Sequence, residues 1–105
     1  MFLEKSKFTE SDIVSLKLIS GDEVIGKYVK EDMATITLNK PVMLAMTPKG
    51  PAMAPVMMTV SPESEYAINK SAVLFQGATV KEIAEQYIFQ TTGIQPVSAG
   101  SIVTR

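Results

Sequence analysis

Apolar side chains recur at every second position along much of this chain. Val14, Leu16 and Leu18 alternate with Ser15 and Lys17, and Val24, Gly26 and Tyr28 resume the alternation against Lys27. A period of two places such residues on one face of an extended strand, so this stretch is built from strands rather than helices. Order is expected to begin at Ile13. Ser20-Gly21-Asp22-Glu23 lies between the two runs as a turn, with Gly21 supplying the positive φ a tight reversal needs, so residues 13–28 read as a hairpin. After the polar reversal Lys30-Glu31-Asp32, the even positions Ile36, Leu38, Val42, Leu44 and Met46 predict one long strand. Pro41 interrupts it, and because proline has no N–H to give a ladder, the strand must bend, bulge or lie at an edge there.

Residues 47–55, TPKGPAMAP, hold three Pro and one Gly in nine positions and read as a loop or splayed hairpin tip. Val56, Met58, Val60, Tyr66 and Ile68 share one phase, which predicts a strand over 56–68 bent at Pro62. The phase resets at Asn69-Lys70-Ser71, where a tight turn leads to a short last strand. There Val73 and Phe75 take one face and Leu74 the other. Thr79 and Glu82 have capping-box spacing, and Val80, Ile83, Ala84, Tyr87 and Ile88 form one apolar stripe, so a helix is expected over 79–93 with Gly93 as its stop. The expected organisation is therefore an N-terminal arm over 1–12, a β-barrel over 13–78, a helix packed on it over 79–93, and a tail over 94–105.

The chain's 105 residues suit one domain, with ten Lys plus Arg against eleven Asp plus Glu and a net charge of -1. No overall cationic field draws in nucleic acid. The absence of Cys and His removes disulfides, thiolate nucleophiles, imidazole bases and most zinc sites, so no catalytic residues, metal site or cofactor are expected. Paired carboxylates at Asp22-Glu23, Glu31-Asp32 and Glu63 with Glu65 read as solvated turn residues rather than an acid and base pair. Six methionines between Met33 and Met58 read as irregular filling and adaptable surface, not a copper site. No apolar run reaches the roughly 20 residues that span a bilayer, and the charged start MFLEK is unlike a signal peptide. A soluble, cytoplasmic protein without membrane contact is expected.

Counted from Gly21, the aliphatic residues at minus 7, 5 and 3, Val24 at plus 3, Gly26 at plus 5, Tyr28 at plus 7 and Asp32 at plus 11 resemble the first signature of the Sm and Sm-like (LSm) RNA-binding proteins. The second signature, an Ile-Arg-Gly turn before a short apolar strand, can be laid on Ile68-Asn69-Lys70 followed by Val73-Leu74-Phe75. It can also be laid on Phe75-Gln76-Gly77. The first placement is preferred because it leaves five strands and explains the phase reset. The rest of the chain is similar, less specifically, to short Sm-like proteins of marine tailed phages, which would place it in a host cytoplasm. The resemblance implies a mainly β fold: a small five-stranded, strongly bent antiparallel Sm-like (SH3- or OB-like) barrel with a C-terminal helix.

It also implies a non-enzymatic homo-oligomeric ring of roughly five to seven copies that binds single-stranded RNA or DNA, RNA being favoured. Of the family's uracil pocket only Asp32 is retained, because Ala34 stands at the stacking position, Ile36 at the asparagine and Asn69 at the arginine. The candidate nucleic-acid residues are Asp32, Asn69, Lys70 and Lys30, the two lysines lying on loops that would face a ring's opening. Simple solvation is the competing account of both lysines. The candidate subunit interface sets Val73, Leu74 and Phe75 against Val56, Met58 and Val60 of the next copy. The alternative is a protein-interaction module, for a phage or host partner, that uses the Met- and Pro-rich loop or the C-terminal helix.

Overall fold

The computed structural model describes residues 8–92. Six antiparallel strands and one helix follow in the order β1 (Ile13–Leu18), β2 (Glu23–Glu31), β3 (Thr35–Thr47), β4 (Gly50–Pro55), β5 (Glu65–Asn69), β6 (Val73–Ala78) and α1 (Lys81–Thr92), with a 3-10 turn at Lys70–Ala72 before β6. The sheet order is β4-β3-β2-β1-β6, and β5 adds to the free edge of β3. This is a mainly β, barrel-like sheet with a C-terminal helix. It is not closed, since β5 and β6 do not pair with each other, and it has six strands rather than the expected five.

The first hairpin forms as its alternation requires: Val14 faces Gly26 and Leu16 faces Val24, with Gly21 at φ +96° in the turn. Their apolar face, with Tyr28, Ile36 and Leu38, makes the core, and Phe8, Val56, Ile68 and Val73 pack around it. Burying each of the large aliphatic side chains contributes roughly 1.5–3 kcal/mol. Residues 8–12 are no loose arm. Phe8 stacks at a tilt on Tyr28 with ring centroids 5.5 Å apart, the Asp12 carboxylate accepts the Thr9 N–H at 2.9 Å, and the Tyr28 N–H donates to the Asp12 carbonyl at 2.8 Å. The rest of that expected arm, residues 1–7, and the expected Gly93 stop and tail lie outside the described residues.

β3 is the long bent strand its phase predicts. Its first half, from Thr35 to Asn39, pairs with β5, and its second half, from Val42 to Thr47, pairs with β4, while β2 runs along its other edge. The bend lies at Lys40-Pro41, where Lys40 takes φ +53° and the β2 register slips between Ile25 and Lys27. Gly26 faces this bulge. A Cβ built there would meet two Leu38 side-chain carbons at 2.9 Å and the Pro41 Cα at 3.3 Å.

Of the two readings of residues 47–55, the hairpin holds and the loop does not, and its strand is paired rather than splayed: Gly50, at φ +115°, closes a tight hairpin on Thr47, whose hydroxyl donates to the Gly50 carbonyl at 2.7 Å. The expectation for the next segment is corrected. Residues 56–68 are not one strand. The chain leaves the β3 edge after Pro55, loops outward and returns at Glu65, because the Lys40-Pro41 bend turns the edge of β3 away from the line the strand would follow. Lys40 ties that loop down through its N–H to the Ser64 carbonyl at 3.1 Å and its ammonium to Glu63 at 3.5 Å. In β6 the pairing with β1 slips between Lys17 and Leu18, leaving Leu74 extra. Val73 therefore packs on the core while Leu74 and Phe75 both stay exposed, in place of the expected alternation.

The helix begins at Lys81 rather than Thr79, and the capping box gives way to a tertiary contact: the Thr79 and Ser15 hydroxyls bond at 2.7 Å. Ile83, Ala84, Tyr87 and Ile88 turn inward as the stripe predicts, but Val80 precedes the helix and is exposed. Tyr87 is fully buried. Its hydroxyl donates to the Lys40 carbonyl at 2.7 Å and lies 3.1 Å from that of Asn39, so the helix is pinned to carbonyls at the bend.

Gly26→Ala is expected to lower stability by about 1–3 kcal/mol, read from urea unfolding, since neither Leu38 nor Pro41 can retreat without moving the bend. Burial pushes the Tyr87 phenol up to about 12 from its ordinary 10.0. The neutral phenol is the form the fold keeps, so its contribution is complete below pH 10 and is lost as pH rises towards 12. Tyr87→Phe should cost about 1–2 kcal/mol at pH 7 and flatten the fall of the urea midpoint between pH 10 and 12.

Candidate nucleic-acid site

Three of the four candidate nucleic-acid residues meet at one end of the sheet. The turn after β2 and the turn after β5 are far apart in sequence, yet Thr35 pairs with Asn69 and the Lys70 N–H donates to the Ala34 carbonyl at 2.8 Å. Asp32, Asn69 and Lys70 are thereby gathered on two stitched turns, with Lys30 exposed at the end of β2.

Asp32 is committed to its own turn. One carboxylate oxygen accepts the N–H groups of Ala34 and Thr35, each at 2.8 Å, and the Thr35 hydroxyl lies 3.4 Å away. The Thr35 and Ala34 N–H groups favour the charged carboxylate and hold its pKa below the ordinary 3.8, with a smaller contribution from Lys70. Such a side chain organises the loop as an Asx turn through one oxygen, and its other oxygen stays on the exposed surface as an acceptor.

Lys70 is also engaged. Its ammonium lies 2.6 Å from Glu31 Oε2, and Tyr28 donates its hydroxyl to Glu31 Oε1 at 3.2 Å. The Lys70 and Glu31 side chains retain only 29% and 12% of their exposure. A partly buried pair of this kind is screened less than a surface one. Sequence reading placed Glu31 among solvated turn carboxylates, and on a regular strand Tyr28 and Glu31, three apart, would point to opposite faces. The register slip between Tyr28 and Lys30 puts the two side chains together. A two-residue count across an undisturbed strand carries no signal of that slip.

What remains accessible is Lys30, Asn69, Ser71 and the outer oxygen of Asp32, with Met33 (96% exposed) and Ala34. Among the described residues, Lys30 and Lys70 set against Glu31 and Asp32 make two cations and two anions, which balance locally. Such a surface can hydrogen-bond a polar partner but exerts little long-range pull on a polyanion.

The candidate interface residues are divided. Val56 packs on the core, while Met58 and Val60 sit on the outward loop rather than on a strand. Val73 also contributes to the core, whereas Leu74 and Phe75 stand 56% and 70% exposed on β6, one edge of which has no partner among the described residues. A groove of about 230 Å³ opens between the last turn of α1 and the bend, lined in part by Pro41, Met53, Pro55, Pro62 and Gln90. Among the described residues no three or more acidic side chains gather as a metal site, and no helix is long and apolar enough to cross a membrane.

If Asp32 builds the turn, Asp32→Ala should speed amide exchange at Ala34 and Thr35, followed by NMR, while Asp32→Asn keeps much of the protection. In the wild-type chain that protection should be full above the ordinary carboxylate pKa and fall as pH drops through the lowered one. No protein-family model matches the chain, and no curated protein is a significant match to it.

Proposed function

We propose that this chain is a non-enzymatic, Sm-like subunit that assembles with copies of itself into a ring and offers single-stranded RNA the end where its two stitched turns meet. The observation that carries the reading is the hydrogen bond of Lys70 N–H to the Ala34 carbonyl. It joins the two turns that the Sm resemblance pairs as one RNA contact, and it favours laying the second signature on Ile68-Asn69-Lys70.

Assembly is supported by the edges. On β4, Pro51 and Pro55 are four apart and flank Met53, so the three point to one edge, and since proline cannot fill a ladder position, that edge is the outer one. Two of its three N–H groups are missing. The β4 edge is thus poorly suited to accept a further strand. β5 and β6 carry no such block, and β6 adds the exposed Leu74 and Phe75. Pairing β6 of one copy with β5 of the next is head to tail, and a head-to-tail contact that closes makes a ring.

One observation favours a second reading. Met46 (80% exposed) on β3 and Met57 and Met58 on the loop 56–64 are adaptable apolar side chains open to solvent, far along the sheet from the stitched turns in the case of Met46, and such side chains suit a protein partner.

Native mass spectrometry should find a closed oligomer, and Leu74→Lys with Phe75→Lys should leave a folded monomer. A wild-type monomer at micromolar concentration overturns the ring. In anisotropy titrations with labelled oligouridine, Asn69→Ala and Lys30→Ala should each weaken binding several-fold. An oligomer that binds no oligouridine at low salt, but loses a protein ligand when Met57 and Met58 are replaced by Ser, decides for the second reading.

A further inference from the structure

Within this proposed RNA contact, we infer that Glu31 is the specificity-determining residue: it withholds the Lys70 ammonium from phosphate and so makes the stitched turns select base edges over the backbone. The inference rests on the RNA reading for its ligand, but the device it describes is a property of this chain alone.

The geometry is that of a braced ion pair. Glu31 Oε2 lies 2.6 Å from the Lys70 ammonium, while its other oxygen accepts the Tyr28 hydroxyl at 3.2 Å. Tyr28 is itself a core residue stacked on Phe8, so the carboxylate is held from behind by a side chain that does not move with the turn. Lys70 is fixed in turn by its backbone, through the bond to Ala34. Both members of the pair are thus positioned before any ligand arrives. A phosphate approaching Lys70 must compete with an anion already in place, at a contact shielded from salt. Lys30 is the cation of this end for which no partner is seen among the described residues, and it stands outside the braced pair. The groups left facing outward beside it are the Asn69 amide, which can both donate and accept, and the Ser71 hydroxyl. These match the mixed donor and acceptor pattern of an unpaired base.

The test compares the wild-type chain, Glu31→Gln, and the double variant Glu31→Gln with Lys70→Gln, which keeps the wild-type net charge. Each is first shown to melt cooperatively. Two probes are titrated over a range of salt: labelled oligouridine and inorganic polyphosphate, which has phosphates but no bases. Glu31→Gln should gain polyphosphate binding that the wild-type and double variants lack, and its oligouridine affinity should rise several-fold. Its salt slope should steepen by about 0.7, the change expected for one added phosphate contact on a single strand. The double variant should match the wild type on both probes. Acylation of Lys70 by an amine reagent, followed by mass spectrometry, should be several-fold faster in Glu31→Gln.

The inference is overturned if Glu31→Gln matches the wild type on polyphosphate and in Lys70 acylation. It is equally overturned if the double variant loses oligouridine affinity and slope relative to the wild type, since Lys70 would then already be on phosphate. Should no form bind oligouridine while polyphosphate and acylation still separate Glu31→Gln from the rest, the withholding of Lys70 stands and the RNA reading falls. If Glu31→Gln fails to melt cooperatively, Tyr28→Phe, which keeps the charge but removes the brace, should show faster Lys70 acylation, and unchanged acylation there overturns the inference.

Discussion

The missing side chain of Gly26 lets the rest of the fold exist. At 2.9 Å from Leu38 there is no room for a Cβ, and it is this close approach that lets β3 bulge at Lys40-Pro41 and serve two partners in succession along one edge. The bulge costs backbone strain, since Lys40 lies at φ +53°, a region a lysine occupies only when its surroundings hold it there. Those surroundings are visible. The carbonyls of Asn39 and Lys40 receive the buried Tyr87 hydroxyl, the Lys40 N–H reaches Ser64, and its ammonium reaches Glu63. One irregularity thus fixes the helix, the outward loop and the junction between β4 and β5. A straight β3 would leave Tyr87 with a buried donor and nothing to receive it, at a cost comparable to a lost hydrogen bond or more.

How far the sequence disclosed this depended on whether each element keeps a regular period. The first hairpin, the length of β3, its bend at Pro41, the turn at Asn69-Lys70-Ser71 and the inward helix positions from Ile83 to Ile88 were all legible, because alternation of two or a helical stripe states which face is buried. The errors fall where a single residue slips the register. Leu74 is extra in β6, so Phe75 turns outward. Pro51 and Pro55, which looked like loop residues, are tolerated in β4 because they lie where the strand owes no N–H to its neighbour. Thr79 had the spacing of a helix cap but bonds Ser15 instead, a contact across 64 positions that no local window contains.

The site shows the same division in sharper form. The resemblance laid Asp32 and Asn69 on two positions of one pocket and Lys70 beside them, and the turns that carry them are joined by backbone pairing that depends on register and not on side-chain identity. What the side chains do there was not legible. Asp32 was singled out for a ligand, and one of its two oxygens is taken by Ala34 and Thr35, as the strong backbone preference of Asp in turns makes reasonable. Lys70 was singled out as a free cation and is paired, because a slip in β2 delivers Glu31 to it. In both cases the chain's own groups take up bonding capacity before a partner can, through the Glu31 pair at Lys70 and by one oxygen at Asp32.

This self-satisfaction alters what repetition in a ring can achieve. Lysines repeated around an opening would add their charges and raise the potential there with each copy. Here the described residues of each copy would bring Lys30 and Lys70 together with Glu31 and Asp32, and their four charges sum to nil. The field of a neutral cluster falls off more steeply with distance than that of a charge, and beyond a Debye length of about 8–10 Å salt removes most of what is left. Assembly would then multiply short-range hydrogen-bonding contacts rather than electrostatic attraction. Affinity gained in that way depends on several subunits engaging one strand at once, so it grows with the length of the ligand far more than with its charge.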